Sequence, residues 1–215
     1  MMEVWGRRTS SNVQAVMWCL AELNLPVTRY DVGHRFGGND TPAFLAMNPN
    51  GLVPVLKDGE APPLFESAAI NRYLANRYGQ APFWPADLAT RTRIDMWAEW
   101  AKVSVSLRFT APIFWQLVRV PAADRNLTAL NQAIDQLSRL LAIADAQLQQ
   151  HDYLAGDALT LADIPFGSLL YRYYDLDMPR APLPALAEYY ARLCERPAYQ
   201  QHVIVSYDEL RLSPP

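Results

Sequence analysis

The chain has 215 residues, 51% of them hydrophobic and 19% charged, and a formal net charge of −3. This composition excludes a disordered chain and leaves room for a sizeable core. The absence of a basic excess argues against nucleic acid as a partner. No apolar run reaches the length of a membrane span, and the opening MMEVWGRRTS has no apolar signal core. A cytoplasmic protein that does not enter membranes is expected.

Short strands and helices mix in the first eighty residues. Glu3 to Trp5 reads as a strand. From Asn12, apolar residues at Val13, Val16, Met17, Leu20 and Leu23 recur at helical spacing, with Ser11 or Asn12 able to cap and Pro26 closing the run. Val27 to Val32 reads as a second strand. "TPAFLAMNP" reads as a short helix with Thr41 as N-cap and Pro42 in its first position. The stretch "NPNGLVPVL", a turn at "KDGE", a short strand from Pro63 to Phe65 and a helix through "SAAINRYLANRYG" come next. The order is βαβ, then αββα. A linker is placed at residues 80 to 87, after which residues 88 to 119, 124 to 150, 160 to 174 and 184 to 203 carry helical periodicity and no strand. The expected fold is therefore α+β in two domains, residues 1–80 mixed and residues 87–215 all-helical.

Cys19 and Cys194 lie far apart in apolar helical patterns, which speaks against a disulfide scaffold, a thiolate metal site and a dithiol pair. His34, His151 and His202 show no ligand spacing, so no metal is expected.

Pro54 is the anomaly. Leu52, Val53, Val55 and Leu56 read as a buried strand, yet proline lacks the N–H a central ladder needs. A cis Val53–Pro54 bond would turn the chain sharply before the strand and leave the main chain of Val53 open to an extended peptide. A trans proline that merely starts the strand is the alternative. Downstream, Ser67 can cap the helix that "FES" precedes, and a helix start attracts anions. In "LTLADI", Thr160 and Asp163 form a capping box and Leu159 and Ile164 a hydrophobic staple, which is a folding signal.

Taken together, "NPNGLVPVL", "FESAAINRYLANRYG" and "LTLADI" resemble the glutathione S-transferase superfamily, in its bacterial theta-like and nu-like forms, over essentially the whole chain. The resemblance implies a thioredoxin-like first domain followed by a helical bundle, with glutathione as cosubstrate. It implies that Val53 and Pro54 hold the cysteinyl backbone of glutathione, with Glu66 on the γ-glutamyl ammonium and Ser67 on its carboxylate. Capping alone would also explain Glu66 and Ser67. Arg35, His34 and Asn50 are candidates for the glycyl carboxylate, although the family's cation near Asn50 or Gly51 has no counterpart here.

The thiol is activated in the family by a Tyr, Ser or Cys after the first strand, or by a Thr/Asn pair. The loop "GRRTSSNV" has no tyrosine or cysteine. Ser10 and Asn12 are the expected catalytic residues, with Thr9 as a further candidate, and helix capping is the competing role for each. Arg7 and Arg8 could add positive potential near a thiolate. On the first long helix of the second half, Trp97, Trp100 and Arg108 fall on one face. With Trp115 they are candidates for the electrophile pocket. The expectation is a homodimeric transferase acting on a small soft electrophile such as an alkyl halide, an activated aromatic, a peroxide or a disulfide. A non-catalytic binding or regulatory protein on the same scaffold is the alternative.

Overall fold

The structure is a computed structural model that describes residues 1–211. Strand β1 (Met2–Trp5) lies parallel to β2 (Val27–Tyr30) and antiparallel to β3 (Val55–Asp58), which pairs with β4 (Leu64–Phe65). The strand order is β2-β1-β3-β4. Alternation decides the faces: Met2 and Val4 are buried, while Glu3 and Trp5 are half-buried on the other side.

Helix α1 (Ser11–Glu22) buries every residue from Val13 to Leu20. A helix buried all round must be covered on several sides. It is packed against α3 (Ser67–Tyr78) in the first half and against α8 (Asp163–Asp175) and α10 (Pro197–His202) in the second. The start of α1 therefore sits where the two halves meet. The helix ends on Leu23, followed by Asn24 at φ 54, a left-handed turn that asparagine tolerates. Helix α2 (Pro42–Met47) is capped by Thr41, whose hydroxyl accepts from the Phe44 N–H.

The second half begins with α4 (Leu88–Trp100), which runs on without a break as a π-helical stretch (Ala101–Ser106), the short α5 (Leu107–Phe109), a second π-helical stretch (Thr110–Phe114) and α6 (Trp115–Arg119). Each wide turn shifts the phase of the residues beyond it, and such turns recur at functional sites. The second one contains Pro112, which has no N–H to give to a regular ladder. Then come α7 (Leu127–Leu148), α8 and α9 (Pro184–Cys194). The expected helix over 184–203 is two helices, because Pro197 restarts the chain as the first residue of α10 after Arg196.

The start of α8 is a closed polar staple. The Asp163 carboxylate accepts from the N–H groups of Thr160 (2.8 Å) and Leu154 (3.1 Å) and from the Tyr189 hydroxyl (2.9 Å). The Thr160 hydroxyl accepts from the Ala162 N–H. Asp163 is fully buried, and that burial outweighs its hydrogen bonds and pushes its carboxyl up to about 6.

Candidate active site

Val53–Pro54 is cis. Val53 lies outside β3, and among the described residues neither its N–H nor its C=O has a hydrogen-bond partner. The preceding turn is pinned by asparagines. The Asn48 amide donates to the Leu52 carbonyl (2.7 Å) and the Asn39 amide to the Gly51 carbonyl (2.8 Å). These bonds hold the turn by its neighbours and leave the main chain of Val53 open, as an added strand requires.

At the start of α3, Glu66 occupies the cap position and Ser67 is the first helical residue, so the expected Ser67 cap is not formed. Glu66 itself is exposed, has φ 68 and ψ 111, and makes no side-chain capping bond. A non-glycine residue in this region is strained, and such strain clusters at ligand clamps. Ser67 is buried, and its hydroxyl donates to Asn12 Oδ1 (3.3 Å). Lys102, from the first π-helical stretch, donates to the same Asn12 oxygen (2.7 Å) and to Ser67 Oγ (3.2 Å). Burial pushes the Lys102 ammonium down, with the Glu66 and Glu99 carboxylates acting against it. An ammonium, a hydroxyl and the free N–H groups of a helix start thus share one cleft.

The loop before α1 is fixed by its main chain. The Arg7 N–H donates to the Val32 carbonyl, the Ser10 N–H to Arg7 and the Gln14 N–H to Ser10. Thr9 turns its hydroxyl to the Glu209 carboxylate, and its carbonyl accepts from Arg172 Nη2 (2.7 Å). Ser10 sits at the cap position, but its hydroxyl makes no capping bond. Instead Ser10 lines a cavity of about 230 Å³ together with Asn12, Val53, Thr110, Trp115 and Arg172. Asn12 reaches both this cavity and the Lys102 cleft. Its oxygen is engaged, and among the described residues its NH2 has no partner.

The remaining candidates are distributed unevenly. Arg35 is largely exposed, stacks on Phe36 and pairs with Glu209 (3.0 Å). Asn50 donates through both its main chain and its amide to Asn48 Oδ1. Trp97 packs edge-on to Trp100, which leans on Phe166 of α8, and neither lines the cavity. Arg108 is exposed and donates to the Ser104 carbonyl of its own helix (3.1 Å). Only Trp115 of this group reaches the cavity, because the wide turns between 101 and 114 break the single face that regular spacing implies. Sequence reasoning passed over Lys102 and Arg172. The signal for Arg172 is a lone cation in the apolar and aromatic run "FGSLLYRYY". Lys102 gave none, since a lysine on a long helix reads as solvated charge.

A mixed four-stranded sheet with a cis Val–Pro turn, a cleft at the start of α3 and an appended helical bundle define a two-domain fold with a thioredoxin-like first half. Family models for the glutathione S-transferase N-terminal domain and C-terminal domain match residues 9–77 and 101–197. Glutathione S-transferase GstB of Escherichia coli K12 is 37% identical over 206 residues, covering 95% of this chain and 99% of that protein. Glutathione S-transferase 3 of Zea mays is 32% identical over 94% of this chain and 93% of its own length. The theta class glutathione S-transferase of Xanthomonas axonopodis pv. citri, solved with glutathione bound, superposes with a TM-score of 0.89 at 44% identity. It covers 95% of this chain and 98% of its own. The chain belongs to the glutathione S-transferase family.

Proposed function

We propose that this glutathione transferase binds the tripeptide along Val53 and activates its thiol in the 230 Å³ cavity beside Ser10 and Asn12. The observation that carries the reading is the open main chain of Val53 lining the same cavity as the Ser10 hydroxyl and the Asn12 NH2, neither of which has a partner among the described residues. The cysteinyl segment pairs with Val53 as an added strand. The γ-glutamyl carboxylate meets Ser67 Oγ and the N–H groups that open α3, with Lys102 as counter-ion, and the ammonium meets Glu66. Ser10 Oγ–H, or the Asn12 amide, donates to the sulfur and favours the thiolate, which is the nucleophile. Thr9 is set aside because its hydroxyl is given to Glu209. The thiolate attacks a small soft electrophile, the enzyme supplying orientation and a shifted pKa.

Family membership also supports a homodimer, and the division of the chain near residues 80 to 87 fits the family-model limits at 77 and 101. Two free cysteines suit a reducing cytoplasm, and among the described residues no helix is long and apolar enough to cross a membrane.

The test is thiolate absorbance against pH with saturating glutathione. Ser10→Ala should raise the bound thiol pKa by about one unit, equivalent to about 1.4 kcal/mol, while glutathione still binds. Asn12→Ala should move it in the same direction if the amide shares the task. A titration unmoved by both substitutions places the activating group elsewhere. A wild-type thiol with no depressed pKa favours a binding protein over an enzyme.

A further inference from the structure

The cavity beside Ser10 carries more positive charge than its surroundings neutralise. Arg172 is 2% exposed, and it lines this cavity from α8. Its Nη2 donates to the Thr9 carbonyl and its guanidinium lies 4.5 Å from the centre of the Phe114 ring, but its Nε has no hydrogen-bond partner among the described residues. Arg7, half-buried, lines the same cavity, and its Nε is also buried without a hydrogen-bond partner among the described residues. Arg119 does not line the cavity, but its guanidinium lies 3.8 Å from the ring centre of Trp115, which does. Among the described residues none of these three arginines is paired with a carboxylate. Glu209 is the carboxylate close by, and it is engaged by Thr9 and Arg35. Burial and the neighbouring Arg7 push Arg172 down only to about 10, so it stays charged at neutral pH.

A guanidinium buried without a counter-ion is unfavourable unless the missing charge arrives with a ligand. Glutathione's γ-glutamyl carboxylate is provided for at Ser67 and Lys102, in the other cleft; with Arg35 paired to Glu209, its glycyl carboxylate is the competing claim on Arg7. We propose that the cavity admits electrophiles bearing a carboxylate, with Arg172 and Arg7 as its counter-ions and Trp115 against the apolar body. The inference rests on the transferase reading above and names the substrate class for that same site. In the reaction the glutathione sulfur, its proton already lost to solvent, forms a C–S bond to the carbon bearing the halogen. The carbon–halogen bond breaks and halide leaves with the bonding pair. The carboxylate takes no part and serves only as a handle.

The experiment compares chloronitrobenzoate with chloronitrobenzamide, which share the reacting carbon and differ in charge. Each kcat/KM is divided by the uncatalysed rate constant with glutathione, and glutathione binding is measured by calorimetry on the same samples. Wild type should favour the carboxylate over the amide by tenfold or more, and Arg172→Met should bring that ratio close to one. Arg7→Gln, which leaves the bond to Thr9 in place, should lower the ratio in the same direction and covers the case in which the Arg172 variant fails to fold. Glutathione bound with no preference for the carboxylate, or with no turnover of it, overturns the inference. So does an Arg7→Gln variant that loses glutathione affinity at an unchanged ratio, since its arginine would then serve the tripeptide. Failure of wild type to bind glutathione overturns the underlying transferase site instead.

Discussion

Helix starts in this protein treat their polar groups in two opposite ways. At α8 the polar atoms are closed on one another: Asp163 accepts from Thr160, Leu154 and Tyr189, and the Thr160 hydroxyl accepts from Ala162. At α1 and α3 they are left open. Among the described residues, Ser10 holds the cap position without a side-chain capping bond, the Asn12 NH2 has no partner, and Glu66 is held at φ 68 with no side-chain bond to the helix it precedes. The closed start lies in the core, where an unmet donor is costly, and the open ones border cavities where a ligand can complete them. Similar short polar motifs thus stabilise the fold in one place and receive a ligand in the other.

The largest effect should come from opening the closed start. Asp163→Ala leaves buried N–H and O–H groups without an acceptor and should cost about 3–5 kcal/mol of stability, read from the urea midpoint. A loss below about 1 kcal/mol would erase the contrast between the two kinds of helix start.

Ser67→Ala should weaken glutathione binding by about 1–2 kcal/mol, from one lost charge-assisted hydrogen bond. Its urea midpoint should hardly move, since Ser67 does not cap α3. Calorimetry and denaturation on the same variant check both halves, and a variant that loses stability but not affinity would put α3 with α8.

The smallest effect tests strain. Glu66→Gly puts the residue best suited to positive φ at that position and should raise stability by up to about 1 kcal/mol while weakening glutathione binding. A variant that is less stable than wild type would show that the Glu66 side chain supports the fold, contrary to its exposed position.

The sequence by itself determined the order of elements, the break between a mixed half and a helical half, and the parts of the site that are local in the chain. "NPNGLVPVL" carries the open turn within nine residues, and "FES" and "RRTSSN" mark the helix starts, because proline geometry and short polar side chains act on their immediate neighbours. Only the tertiary structure decided which cations serve the site. Lys102 stands 90 residues from Asn12 and Arg172 stands 163 from Thr9, and their contacts exist only because the π-helical stretch after α4 and helix α8 are brought beside the start of α1. It also decided that Trp115 faces the cavity while Trp97 and Trp100 pack beside α8. A face read at regular helical spacing holds only while the helix keeps its pitch, and two π-helical stretches within α4–α6 change that pitch between these tryptophans.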